Sequence, residues 1–205
     1  MTELGQADSR PFAEVSRSLL RETILEAADR LVAASNWSAV TMAQVASGAG
    51  VSRQTVYNEF GNRAELARAY ALWSAQGLLD EVERSVALHR DDLLDALVST
   101  FSTLLAVGHE HPLIRALADD DGAGELTSAL VSGSRSLLVV VASGRLVDII
   151  TGTWPELPAP SVVAVSEVLV RLAVSHLLLP SSPPEEAAAQ VAEVLRPLLE
   201  TLRAG

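Results

Sequence analysis

Apolar residues along this chain recur at spacings of three and four, and no stretch alternates apolar and polar residues as a strand does, so the pattern predicts an all-α protein. From Ser16 to Ala34, the residues Leu20, Ile24, Ala27, Ala28, Leu31 and Val32 form one stripe, the signature of an amphipathic helix. Ser35-Asn36-Trp37 breaks it. Thr41 can then cap a short second helix, Met42 to Ser47, with Ala43, Val45 and Ala46 turned inward. Gly48-Ala49-Gly50 is a turn, and Ser52 caps a third helix, Arg53 to Phe60, whose Val56 and Phe60 face inward. Gly61 can stop that helix by turning left-handed. Asn62 opens a fourth through Ala64, Leu66, Ala67, Tyr70, Ala71 and Trp73, running on towards His89 past a weak point at Gly77.

Beyond residue 90 the same reading predicts a helical bundle. Asp91 or Asp92 starts a helix through Leu93, Leu94, Leu97, Val98, Phe101, Leu104 and Leu105 that ends near Gly108, and His111-Pro112 begins a short one. Adjacent carboxylates in Asp119-Asp120-Asp121-Gly122 repel, which makes a solvated loop a better reading than a metal site. Glu125 to Trp154 holds one broken or two consecutive helices, interrupted near Ser132-Gly133-Ser134. Residues 156–160 and Pro180 to Pro184 are short linkers on either side of a helix from Ser161 to Leu179, and a last helix runs from Glu185 to Arg203 with a kink expected at Pro197. These two are expected to form a hairpin. Val162, Val165, Leu169, Leu172, Ala173, His176 and Leu177 line one, and Ala188, Val191, Val194, Leu195 and Leu198 the other. That is more apolar surface than one contact face needs, and it fits two hairpins meeting about a two-fold axis as a four-helix bundle.

Charge divides the chain. The net charge is −11, yet residues 1–70 hold seven arginines against eight acidic residues and are nearly neutral, so the acidity belongs to the larger remainder. Arg17, Arg21, Arg53, Arg63 and Arg68 are thereby available to face phosphates. With 49% hydrophobic and 20% charged residues the chain can bury a real core. It has no cysteine, which excludes disulfides, thiolate zinc sites and a cysteine nucleophile. The polar start and the lack of about 18 uninterrupted apolar residues point to a cytoplasmic protein without a membrane partner. His89, His109, His111 and His176 form no His-x-x-x-His pair, and nucleotide and serine-elbow motifs are missing, so an enzyme is not expected and no cofactor is implied.

Two short helices joined by a glycine-containing turn, the second with polar outward side chains, form the arrangement that inserts a helix into the major groove. Thr41 and Ser52, at helix N-termini, suit phosphate anchoring. Arg53 and Gln54, in the first turn of the third helix, suit base edges, where Arg favours guanine and Gln adenine. Thr55, Tyr57 and Asn58 can reach phosphates or bases one turn on, although Tyr57 could equally be a packing residue.

The segment TMAQVASGAGVSRQTVYNEFGNRAEL, residues 41–66, resembles the helix-turn-helix of the TetR (tetracycline-repressor) family, and the likeness extends from Arg17 to about Tyr70. Two positions depart from the commonest family form, which often has a small residue at Gln54 and a basic residue or histidine near Glu59. The resemblance implies a flexible arm over residues 1–15, a three-helix DNA-binding domain over 16–62, and a helical ligand-binding and dimerisation domain over 63–205. It implies a homodimer on double-stranded DNA with a palindromic operator, Arg63 at a position that contacts phosphate, and repression relieved by a small molecule. Phe101, Leu104, Leu105, Leu113, Leu117, Leu138 and Trp154 would then make an apolar pocket, with Ser99, Thr103, His109, Arg115 or Arg135 as polar contacts, for a lipophilic effector such as a fatty acyl compound, long hydrocarbon or drug. A helical protein-interaction scaffold that binds no DNA is the alternative.

Overall fold

The computed structural model describes residues 12–118, 124, 126–127 and 137–204. The first eleven residues of the expected arm, the Asp119 to Gly122 run, the Ser132-Gly133-Ser134 break and Arg135 lie outside the described residues. Those described form nine α-helices: α1 (Phe12–Ala34), α2 (Met42–Ala49), α3 (Arg53–Phe60), α4 (Arg63–Leu88), α5 (Leu93–Glu110), α6 (Pro112–Ala118), α7 (Leu137–Thr153), α8 (Ala159–Leu178) and α9 (Pro184–Ala204), with a 3-10 turn at Trp37–Ala39. The protein is all-α, with a helix-turn-helix unit followed by a helical bundle.

Side-chain caps fix where the short helices begin. Thr41 and Gln44 form a reciprocal capping box at α2, the Ser52 hydroxyl accepts from the Thr55 N–H at 3.1 Å, and Asn62 accepts from Glu65 at 2.9 Å. Gly50 (φ 69°) and Gly61 (φ 76°) end α2 and α3 in backbone that residues with a Cβ rarely adopt. Among the first three helices, two boundaries differ from the sequence expectation. Helix α1 begins at Phe12 and not Ser16, and α2 runs on through Gly48 and Ala49, leaving a tighter turn.

Two cores result. Ile24, Ala28, Trp37, Val45, Val56, Phe60, Leu66 and Tyr70 pack together, and α6 adds Leu113 and Ala116 to them. The second core joins Phe101, Leu105, Ile114, Ile150, Val162, Leu169, Leu177, Ala188, Val191 and Leu195. Helix α6 thus puts Leu113 into the first core and Ile114 into the second. The expected hairpin is altered: α8 packs mainly on α7 and α9 mainly on α5. The cause is visible on α9, whose small buried residues Ala187, Ala188 and Ala192 allow close approach while Val194 and Leu198, expected to line the hairpin, are exposed. Helix α9 continues through Pro197. Helix α8 is long and apolar enough to suit a membrane by composition alone, but it packs along α7 and carries an Arg171–Glu167 ion pair at 2.7 Å.

Gly108 lies where α5 meets α8, and a Cβ there would stand 2.2 Å from Leu177 Cδ2. Gly108→Ala should therefore push Leu177 out of its rotamer and cost about 1–3 kcal/mol of packing, against about 1 kcal/mol returned by helix propensity. A lower urea midpoint at unchanged slope is the expected result; a higher midpoint would show that the crossing has room.

Candidate functional site

Helix α3 is anchored by Val56 and Phe60, and its other face is open. Arg53, Gln54, Tyr57 and Asn58 are exposed, Tyr57 by 47%, which places it at the surface rather than in the core. Gln54 Nε2 donates to Asn58 Oδ1 at 2.8 Å, holding the two amides side by side, and the Ser52 and Thr55 hydroxyls lie 2.9 Å apart. The Thr41 hydroxyl donates to Gln44 Oε1 at 2.7 Å at the head of α2. Arg53 has no hydrogen-bond or ion-pair partner among the described residues. The structure thus presents a guanidinium, two amides, a phenol and two hydroxyls along α3 and a third hydroxyl at the head of α2, group types suited to base edges and phosphates.

The other arginines are arranged differently from the expectation that all five face outward. Arg63 is half-buried: its Nε donates to the Val40 carbonyl at 2.9 Å, its Nη2 to the Trp37 carbonyl at 2.6 Å, and its guanidinium stacks 5.1 Å from the Trp37 ring centroid. It braces the chain leading into α2 against the start of α4. Arg17 Nε lies 2.9 Å from Glu59 Oε2, and Arg21 donates to the Glu59 carbonyl at 2.7 Å while covering the Phe60 ring at 4.4 Å. Glu59, which departs from the family's basic preference, is thereby clamped between two cations from α1. Arg68 is exposed and, like Arg53, unpaired among the described residues.

Between the two cores lies a polar junction. The buried Tyr70 hydroxyl donates to Asp29 Oδ1 at 2.9 Å, and its ring stacks on Trp37 at 5.7 Å and 7°. Burial first, then the Asp29 charge, hold the Tyr70 phenol well above its ordinary pKa. Burial pushes the His111 imidazole at the head of α6 below its ordinary value, with Asp29 opposing. An imidazole kept neutral in the fold is protonated first in the unfolded chain, so its contribution is present above about pH 6.5 and is lost as pH falls through the lower, folded value. Replacing His111 with Gln should flatten the fall in melting temperature between about pH 7 and 5; an unchanged slope would place the titrating group elsewhere.

Two apolar cavities lie among the helices of the bundle. One, of about 100 Å³, lies between α4, α5, α7 and α8, where Phe101, Leu104 and Trp154 line it, and the Trp154 indole donates to the Arg90 carbonyl at 3.0 Å. The other, of about 140 Å³, lies between α4, α5, α6, α7 and α8 and is lined by Leu104, Leu113, Leu117 and Leu138. Two expected residues fall outside both. Leu105, one step past Leu104, turns into the packed core at 1% exposure, and Arg115 is exposed on the outer side of α6. Neither Ser99, Thr103 nor His109 lines either space.

Residues 24–70 match the family described as bacterial regulatory proteins, tetR family, and residues 92–197 match the bacterial tetracyclin repressor C-terminal domain. The chain is also 34% identical over 190 residues, 93% of its own length and 90% of the relative's, to the HTH-type transcriptional regulator AlkX of Mycobacterium tuberculosis. It belongs to the TetR family. The crystal structure of the TetR family repressor AlkX from a Dietzia strain, implicated in biodegradation of n-alkanes, matches with a TM-score of 0.77 at 32% identity, covering 88% of this chain and 97% of that one. A tetR-family regulator from Streptomyces coelicolor shares the fold at a TM-score of 0.60 and 20% identity, covering 91% of this chain and 83% of its own. This TetR-family protein is therefore a DNA-binding transcriptional regulator.

Sequence reasoning missed several features of this TetR-family site. The walls contributed by α8 were not expected: Ala173 reads in the sequence as part of the hairpin lining and Val170 is not singled out, yet both line the cavities. Thr100 also lines the first cavity, its hydroxyl donating to Ser85 Oγ at 3.0 Å. An inward Thr-Ser pair was available as a signal, since Thr100 lies on the apolar face shared by Leu93, Leu97 and Leu104.

Proposed function

We propose that the protein is a homodimeric repressor that reads a palindromic operator with α3 of each copy and leaves it when a small lipophilic effector enters the bundle. The exposed polar face of α3, with Arg53 unpaired among the described residues and its backbone fixed by buried Val56 and Phe60, carries this reading. Arg53 and Gln54 read bases, Thr41, Ser52, Thr55, Tyr57 and Asn58 contact phosphates and flanking edges, and Arg63 serves by holding the approach to α2 in place. Exposed Val163, Val168, Val194 and Leu198 on α8 and α9 supply the dimer face. A protein working on cellular DNA is cytoplasmic. The almost wholly apolar cavities select a lipophilic effector, and the link of the Dietzia repressor to n-alkane biodegradation favours a long hydrocarbon or its derivative. Occupancy favours a conformation whose two recognition helices no longer match the half-site spacing.

Selection of bound duplexes from a random pool at fixed, near-physiological salt tests the proposal. An enriched palindrome is the expected result. No enrichment from a folded dimer would transfer the function to the helical protein-interaction scaffold. The clamp on Glu59 adds a second test, because Glu59→Gln removes a negative charge and frees Arg17, while Arg21 keeps its bond to the residue-59 carbonyl and its place on Phe60. The variant should bind DNA more tightly, with a log-log salt slope steeper by about 1–2; an unchanged slope would place α1 away from the phosphates.

A further inference from the structure

The two cavities are neighbours with different walls. They share Leu79, Leu104, Val170 and Ala173, so these four side chains stand between them. The first cavity, bounded by α4, α5, α7, α8 and one residue of α9, has no wall from α6. The second has three residues of α6 in its wall, Leu113, Ile114 and Leu117, and Leu113 is at the same time a fully buried member of the core that holds the recognition helix. An occupant of the first cavity alone touches nothing that belongs to the DNA-binding unit except through α4. An occupant reaching the second presses on the packing of that unit directly.

Their sizes decide what can reach both. At about 100 and 140 Å³ each cavity is somewhat smaller than the roughly 150 Å³ space that admits one benzene molecule. Each alone therefore takes an alkyl segment of about six carbons or fewer. A ligand that fills both runs along the four shared side chains, and a long unbranched alkyl chain fits two such narrow apolar spaces in series.

We infer that the effector is an unbranched alkyl chain spanning both cavities, and that chain length separates binding from release: the first cavity gives affinity, and only a chain that reaches α6 through the second dislodges DNA. This rests on the reading of the bundle as the effector site. Differential action of this kind requires that the part of the ligand in the second cavity interact unequally with the two conformations, which contact with Leu113 provides.

The experiment compares 1-hexanol with 1-dodecanol on the full-length dimer, reading binding by calorimetry without DNA and release by anisotropy of the duplex obtained from the pool selection. Both alcohols should bind saturably, while at saturation dodecanol lowers DNA affinity by about ten-fold or more and hexanol by less than about two-fold. Ala142→Phe, at a residue of α7 that lines only the second cavity, should retain hexanol binding and lose release by dodecanol; Ala75→Phe fills the same space from α4 and serves if the first variant does not fold. Equal release by the two alcohols at saturation, or full release by dodecanol in a folded blocked variant, would overturn the length rule while leaving an effector site in the bundle. Absence of saturable binding by either alcohol would overturn the effector site and the length rule together.

Discussion

Arg53→Ala should lower affinity for the selected operator by about 10- to 100-fold, because a bidentate contact to guanine contributes about 1–3 kcal/mol of discrimination. The side chain is exposed at the first turn of α3 and has no partner among the described residues, so nothing in the fold needs repair when it is removed. Affinity for random duplex should fall far less, since that depends on the total of phosphate contacts. Arg53→Lys distinguishes the two roles: it keeps the charge and loses the planar fork, so a base-reading arginine leaves the lysine variant nearly as weak on the operator as alanine. Equal losses on operator and random DNA would make Arg53 a phosphate contact. No loss on either would move the reading surface away from the N-terminus of α3.

The largest stability effect is expected from Trp37→Ala, at about 3–5 kcal/mol by urea unfolding, out of a total that for most domains is about 5–15 kcal/mol. Trp37 is 1% exposed and ties α4 to the chain leading into α2: it stacks on Tyr70 at 5.7 Å, carries the Arg63 guanidinium on its face, and accepts from that arginine through its carbonyl. Truncation leaves a cavity and removes the aromatic support of a partly buried cation. DNA binding should fall with it, because the chain between α1 and α2 loses its brace. Trp37→Phe, which keeps a ring for Tyr70 and Arg63, should recover much of both. A loss below about 1 kcal/mol for the alanine variant would mean that the site collapses without a void.

The helix-turn-helix was legible because its devices are local. Thr41, Ser52 and Asn62 cap by bonding to backbone three residues away, and Gly50 and Gly61 stop helices by their own conformation, so the sequence carries the same information as the structure. The fates of the arginines were illegible for the opposite reason. Arg17 and Arg21 meet a carboxylate some forty positions on, and Arg63 reaches back to residues 37 and 40, pairings that exist only once α1, α3 and α4 are packed. In the bundle, periodicity located the helices but not their neighbours: α8 and α9 read as a hairpin because they are adjacent and apolar, whereas α7 and α5 offered them the better-fitting faces. Leu104 and Leu105 show the limit at single-residue scale. Both are leucines on one helix, and only the placement of α4 and α8 sends one to a cavity wall and the other into solid packing.

The position of Leu113 and Ala116 in the first core bears on how this protein can be recombined with others. A chimera that grafts residues 12–70 onto a foreign sensor would carry every base-reading side chain and still lack the two buried residues that α6 supplies from more than forty positions downstream. Ile24, Tyr70 and their neighbours would then face whatever the recipient offers. Grafts that bring α6 along, or that choose a recipient with matching apolar residues there, should yield working hybrid switches; cuts made at the apparent boundary after α3 should yield hybrids that are insoluble or deaf to their ligand.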